Sequence, residues 1–273
     1  MLAKYGQTRY YMREKGDGTM FFDTHAHYDD EAFDTDRDTL LAELPAAGVS
    51  LVVNPGCDRK SSERALALAE RWGHVYAAVG IHPEELGGME PGDFERIEEL
   101  CTHEKCVAIG EIGLDYYWDD THKLEQQALF IRQIELALSR DLPIIVHDRE
   151  AHGDSLDIVR RYPKLRGVFH CYSGSAEMAE ELLKRGWYLG FDGPITYKNA
   201  RKALEVLEIC PIDRILVETD SPYLSPVPRR GKRNDSRNLP YIIDKIAEIK
   251  GCTAQEIAEA SLKNGLRLFK IEE

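Results

Sequence analysis

The segment Asp23-Thr24-His25-Ala26-His27 places two imidazoles two residues apart, a spacing that turns both rings to one side of a β-strand. Neutral imidazole is a good ligand for divalent cations, and a His-x-His pair offers two nitrogens to one ion. Other groups of the same chemistry close further short apolar runs: His82 in Gly80-Ile81-His82-Pro83, Glu111 after Gly110, His147, His170, and Asp220 in Glu218-Thr219-Asp220. Five of the nine histidines fall at such run ends, where chance would scatter them over helices and loops. Any one of them alone is explained as a hydrogen-bonded core residue. Together, His25, His27, Glu111, His147, His170 and Asp220 read as a metal-ligand set. Glu111 has two oxygens and is able to bridge two ions. Asp220 completes one site and is placed to orient or deprotonate a water. Two ions about 3.5–4 Å apart would activate that water and hold the oxygens of a displaced group. His82 is not needed as a ligand and is assigned to a substrate phosphate or a leaving oxygen; the plainer alternative is a turn at Pro83.

Positioning six groups from five runs requires a frame that brings strand ends together. Eight short β-rich runs recur: 20–24, 51–53, 75–79, 107–109, 143–146, 167–169, 187–191 and 214–217. Near-continuous apolar strands alternating with amphipathic stretches indicate a parallel sheet buried on both faces. Between Thr121 and Arg140, the residues Leu124, Ala128, Ile131 and Leu138 are expected to form one apolar helical stripe. Asp58 and Ser175 are expected to cap the helices that follow them. From Met20 onward the 254 residues allow eight β/α units of about 32 residues. The reading is α/β, a single (β/α)8 TIM barrel over residues 20–273, with 1–19 as an extension outside the core. Such a barrel gathers its strand ends at one mouth, where catalytic groups lie. An open doubly wound sheet is the second choice, but it lacks the glycine-rich phosphate loop usual after its first strand.

Composition narrows the function classes. The 273 residues are 43% hydrophobic and 30% charged, which fits a folded globular chain rather than a disordered one. No run approaches the roughly 18 apolar residues of a membrane span, and the first twenty residues lack the apolar centre of a secretory signal. A cytoplasmic protein with no membrane partner is expected, a monomer rather than an oligomer. The six cysteines form no C-x-x-C pair and are read as reduced thiols. A net charge of −13 argues against non-specific coating of nucleic acid, though it leaves room for a local basic patch.

The motifs FFDTHAHYDD, AVGIHPEE, AIGEIGLDYY, LPIIVHDREAHGD, FHCYSGS, ILVETDSPYLSP and RGKRND occur in that order. In this the chain resembles the TatD family of metal-dependent deoxyribonucleases, within the amidohydrolase-like barrels. The resemblance runs from about Met20 to the C-terminus. It implies metal ligands at His25, His27, Glu111, His147, His170 and Asp220. It also implies 3′-to-5′ exonuclease-like hydrolysis of DNA, single strands or 3′ ends, supported by two Mg²⁺ or Mn²⁺ ions, with Zn²⁺ as a bound alternative. Two departures stand out: Asp235-Ser236 follows RGKRN where Glu-Pro is common, and residues 1–19 have no counterpart.

Around this centre, Asp220, Glu111 and His82 carry the expected chemistry, and His82, Arg149, Lys232 and Arg233 the substrate contacts. Asp23 and Glu218 precede ligands by two residues on the same strand face and are expected to hold ligands or to be structural carboxylates. His152 is expected to reach substrate or to start a helix. Among Tyr28, Tyr116, Tyr117, Trp118, Tyr172 and Tyr223, at least one is expected to stack on a base. The loop Pro228–Arg237 holds five basic residues from Arg229 to Arg237 and reads as a phosphate clamp. Two other classes compete: a metal-dependent amide or ester hydrolase of the wider barrel group, and a non-enzymatic metal- or nucleic-acid-binding protein. Many hydrolases of that group bridge their metals with a modified lysine where this chain has Glu111, and turnover would exclude a mere binder.

Overall fold

The computed structural model describes residues 18–272. Eight strands, β1 (Phe21–Asp23), β2 (Val49–Pro55), β3 (Val75–Val79), β4 (Cys106–Asp115), β5 (Ile144–Arg149), β6 (Gly167–Phe169), β7 (Tyr188–Phe191) and β8 (Ile215–Val217), form one sheet in sequence order. All seven neighbouring pairs are parallel. Helices α1 (Arg37–Glu43), α2 (Arg59–Arg71), α3 (Asp93–Leu100), α4 (Lys123–Ser139), α5 (His152–Arg160), α6 (Ala176–Lys184) and α7 (Arg201–Ile209) connect them. Helices α8 (Leu239–Lys250) and α9 (Ala254–Phe269) follow β8. The chain is a (β/α)8 barrel, and the 1–19 extension falls outside the described residues except for 18 and 19.

Side-chain alternation explains the two cores. Phe22, Val53, Ala78, Ala108, Ile145, Val168, Tyr188 and Leu216, one from each strand, form a single buried cluster with Leu268 and Phe269 of α9. Their alternates, such as Val52, Ala77, Ile144, Phe169 and Leu189, pack beneath the helices. On β5, β6 and beyond β8, the inward residue two positions later is His147, His170 and Glu218. The same alternation that fills the barrel therefore aims polar groups at its mouth.

The barrel closes without a long β8–β1 ladder. Thr24 N–H donates to the Val217 carbonyl at 3.2 Å, Asp220 N–H to the His25 carbonyl at 2.9 Å, and His27 N–H to the Ser221 carbonyl at 2.7 Å. Ala26 and Ser221 add one parallel bridge. These contacts exclude the open sheet, and they run through the very segments that carry His25, His27 and Asp220.

Two helix caps form as expected. Asp58 accepts from Ser61 N–H in a capping box on α2, and Ser175 accepts from Met178 N–H on α6. The α4 stripe does not. Leu124 is 77% and Leu138 37% exposed, whereas Gln126, Leu129, Phe130, Gln133, Ile134 and Ala137 are buried. Two glutamines on the inner face disguise the period. Gln133 accepts from Ile81 N–H at 2.7 Å and donates to its carbonyl at 2.9 Å, and Gln126 makes the same paired contact to Asp115. Each satisfies backbone groups just before or just after site residues on β3 and β4. Among the described residues all six cysteines are free thiols, and no helix is long and apolar enough to cross a membrane.

Candidate metal centre

Glu111 sits at the centre of the barrel mouth, 4% exposed, with its two oxygens turned to different neighbours. Oε2 lies 3.2 Å from His25 Nε2 and 3.6 Å from His27 Nε2. Those two nitrogens are 3.0 Å apart, and Asp220 Oδ1 stands 3.6 and 3.5 Å from them. Oε1 lies 2.7 Å from His170 Nε2 and 2.9 Å from His147 Nδ1, which are 3.5 Å from each other. An ion about 2.1 Å from each donor makes neighbouring donors roughly 3.0–3.4 Å apart in octahedral or tetrahedral coordination. The donor spacings in both clusters are close to that, so the residues present fit bound divalent cations.

The far nitrogens of the rings support the same reading. His27 Nδ1 is 3.2 Å from the Pro55 carbonyl, His147 Nε2 is 2.9 Å from Asp115 Oδ2, and His170 Nδ1 is 3.7 Å from Glu218 Oε1. For His27 and His147 that oxygen takes the far nitrogen's proton and leaves the near nitrogen of the neutral ring a lone pair, the arrangement found around bound metals. His25 Nδ1 and His170 Nδ1 are buried without a hydrogen-bond partner. His82 differs: its Nδ1 accepts from Glu84 N–H at 3.2 Å, so a neutral ring carries its proton on Nε2, 3.6 Å from Glu111 Oε1. It is a hydrogen-bond donor at the mouth rather than a lone pair.

Charge and burial pull against each other here. Burial and the neighbouring His170 hold His25 down at about 4. Burial and His147 likewise lower His82. Burial works against a charged Glu111, but His170 and His25 beside it outweigh that and keep its carboxyl well below the ordinary range. Deeper in, burial pushes Glu218 well above its ordinary value, and Asp192 adds to the shift. Burial opposes a charged His147, but its hydrogen bonds to Asp115 and Glu111 outweigh that and raise it to about 10. A buried cluster of imidazoles and carboxylates calls for positive charge, which cations supply.

Local backbone features deliver these groups. Asp220 adopts a left-handed φ of +54°, which ends the β8 line and swings its carboxylate across to His25 and His27. Asp23 holds this turn from the other side of the seam, accepting from Thr219 N–H at 3.0 Å and from the hydroxyls of Thr219 and Ser236, both at 2.6 Å. Glu218 accepts from Cys171 N–H at 2.6 Å and fits only because residue 190 is glycine: a Cβ there would stand 2.5 Å from Glu218 Oε2. Asp23 and Glu218 thus brace the segments next to the ligands.

Asp115 was not singled out from the sequence. It accepts from His147, Tyr117 N–H and Trp118 N–H, all at 2.9 Å. Its position four residues after Glu111 on β4, hence on the same strand face, was the available signal. Asn234 was also missed. Fully buried in the basic loop, it donates to the Thr219 and Tyr223 carbonyls at 2.8 Å, supporting the Asp220 turn.

The rim sorts the remaining candidates. Tyr28 is fully buried, bonded to Ser236 at 2.7 Å, and Tyr172 is buried with its hydroxyl on the Ser175 carbonyl, so neither ring stands free at the rim. Tyr116 is tied to Asp154. Tyr117, Trp118 and Tyr223 are exposed. The Arg149 guanidinium lies 3.9 Å from the Tyr117 ring centre and 5.3 Å from that of Trp118, which builds an aromatic and cationic ledge beside His147. His152 pairs with Asp148 at 2.9 Å and opens α5. In the basic loop, Arg233 forks onto Asp36 at 2.7 and 2.6 Å, and Arg237 pairs with Asp235 and Glu43. Lys232 is exposed, and so is Arg230, whose guanidinium lies 4.2 Å from the Tyr197 ring centre.

The TatD related DNase family model matches residues 22–270. YabD of Bacillus subtilis, a metal-dependent hydrolase by name, is 44% identical over 254 residues, which cover 92% of this chain and 100% of YabD. A protein of Cronobacter turicensis named 3′-5′ ssDNA/RNA exonuclease TatD is 35% identical over 257 residues, covering 91% of this chain and 97% of that one. The crystal structure of the TatD homologue YJJV from Escherichia coli K12 superposes with a TM-score of 0.88 at 33% identity, over 93% of this chain and 100% of that one. With a barrel, a two-lobed histidine–carboxylate cluster and relatives that span nearly its whole length, the chain belongs to the TatD-related DNase family and is a metal-dependent hydrolase.

Proposed function

We propose that the protein hydrolyses phosphodiester bonds of DNA, removing nucleotides from the 3′ ends of single strands, with two divalent cations held in the mouth. One observation carries the two-cation reading: Glu111 turns one oxygen to His25 and His27 and the other to His147 and His170. His25, His27 and Asp220 would hold one cation and His147 and His170 the other, with Glu111 shared between them. When bound, the cations supply a water of lowered pKa and positive charge facing the phosphate oxygens. We assign Mg²⁺ or Mn²⁺ to catalysis; the histidine-rich donor set also accepts Zn²⁺.

The chain's own groups then divide the work. Asp220 keeps its Oδ1 on the histidine pair and uses its other oxygen to orient the attacking water and take its proton. His82 presents its Nε2 proton to a phosphate oxygen or to the departing oxygen. Asp115 keeps the His147 ring aimed inward, and Glu218 stands behind that of His170. Arg149 with Tyr117 and Trp118 offers one contact for the strand, and Lys232 another. Arg233 contributes only on leaving Asp36. The exonuclease name of the Cronobacter relative supports single-stranded DNA or RNA as substrate.

The test is a screen of 3′-labelled and 5′-labelled single strands, duplex DNA, RNA and bis-p-nitrophenyl phosphate with Mg²⁺, Mn²⁺ and Zn²⁺. Stepwise loss of mononucleotides from the 3′ end, abolished by chelation, is the expected result. Internal cuts, or turnover only of esters and amides, would overturn it.

A further inference from the structure

Beside the metal cluster, between the chain after β6 and the start of α7, lies a cavity of about 250 Å³. Tyr172, Phe191 and Ile195 give it apolar walls, and Cys171, the residue after the ligand His170, borders it on the mouth side. Asp192, at the end of β7, is part of the wall and only 2% exposed. Its Oδ2 has no hydrogen-bond partner, although the Cys171 thiol bonds the same carboxyl group. The obvious structural duty is absent too: Asp192 precedes the 3₁₀ turn Gly193–Thr196, yet its side chain makes no cap bond to it. An unpaired buried carboxyl oxygen is costly, and its cost is removed by an N–H donor that enters beside it. The last torsion of an Asp side chain is broad, so a small rotation presents that oxygen to the cavity.

The rim carries the opposite charge. Lys202 lines the cavity and is exposed, and Arg230 lies over Tyr197, just beyond the 3₁₀ turn. A free phosphate suits the rim but brings no N–H to Asp192. A simple amine suits Asp192 but is repelled by the rim. A flat apolar body with an N–H edge, attached to an anionic backbone, satisfies both. We infer that this cavity is a base-binding subsite for the nucleotide next to the scissile phosphate, with Asp192 accepting from the exocyclic amine of cytosine, adenine or guanine. Thymine and uracil lack that amine. The inference rests on the nucleic-acid reading above, which it extends from a phosphodiester to a base preference.

The test is binding rather than turnover. Metal-loaded protein is titrated calorimetrically with dCMP, dAMP, dTMP and deoxyribose 5-phosphate. Amino-bearing nucleotides should bind about tenfold more tightly than dTMP, the effect of one well-made hydrogen bond to a charged or buried group, and deoxyribose phosphate should bind weakest. Asp192→Ala should abolish the difference between dCMP and dTMP while leaving dTMP affinity unchanged. Ala203→Phe, which fills the cavity from α7, should reduce all three nucleotides to the affinity of deoxyribose phosphate. Equal affinities in the unmodified protein, no nucleotide binding at all, or a preference that survives Asp192→Ala would overturn the subsite. If the hydrolase reading alone is wrong, the binding preference persists while DNA, RNA and bis-p-nitrophenyl phosphate all stay intact. If the subsite alone is wrong, hydrolysis persists without any preference.

Discussion

Asp220 and Asp115 are both carboxylates beside histidine, yet their surroundings assign them different consequences. Asp220 Oδ1 faces His25 and His27 inside the cluster, and its backbone N–H holds the His25 carbonyl. Asp220→Asn keeps that backbone bond and the side chain's volume but removes the charge and the proton acceptor. We expect turnover of a phosphodiester to fall by at least about 100-fold with the melting temperature nearly unchanged. Rates like those of the unmodified protein would remove Asp220 from the chemistry. Within the cluster, Asp115 touches only the far nitrogen of His147. Asp115→Asn should weaken metal binding by about 10–100-fold, and excess Mn²⁺ should restore most of the rate. An unchanged affinity in a metal titration would reduce Asp115 to a cap for Tyr117 and Trp118.

At the scale of elements, α4 and the basic loop show how polar residues do structural work. Gln133 satisfies both backbone groups of Ile81, next to His82. Gln133→Ala leaves that N–H and carbonyl unpaired in the core, and we expect a loss of about 2 kcal/mol or more in urea unfolding. A loss near zero would show that water replaces the amide. In the loop Pro228–Arg237, Lys232 is exposed while Arg233 is committed to Asp36. The Arg233 side chain holds the Asp36 carboxyl below its ordinary value. Lys232→Ala should therefore reduce the salt slope of single-strand binding by about 0.7, the share of one phosphate contact. Arg233→Ala should change that slope little and instead loosen the loop, seen as faster proteolysis. The reverse pattern would restore Arg233 as the clamp.

The whole barrel depends on its mouth because the seam and the site share residues. His25, His27 and Asp220 lie where the chain after β1 meets the chain after β8, and the backbone bonds between those segments close the ring. A cation that binds the folded cluster but not the unfolded chain stabilises the fold by mass action. Exhaustive chelation should abolish activity and lower the melting temperature, and titrating Mn²⁺ back should raise the melting temperature in step with concentration. Full activity in the chelated protein would sink the metal mechanism. A melting temperature indifferent to metal would mean that the seam holds without it.

The sequence alone determined the barrel and which side chains reach its mouth, because both are written in local signals. Apolar runs mark strands, and a charged or imidazole side chain two residues past a core position on β5, β6 and β8 must face the mouth by alternation. The caps at Asp58 and Ser175 were equally local. What only the tertiary structure decided involves partners distant in the chain. Gln126 and Gln133 look like breaks in a helical stripe until the backbone they serve on β3 and β4 is in view. Tyr28 looked like a mouth aromatic, but Ser236, 208 residues away, draws it inward. The same holds for Arg233 on Asp36 and for the unpaired oxygen of Asp192 beside its cavity. Period and spacing report which face of an element a residue occupies; which groups from other elements meet it there is set by how the barrel closes.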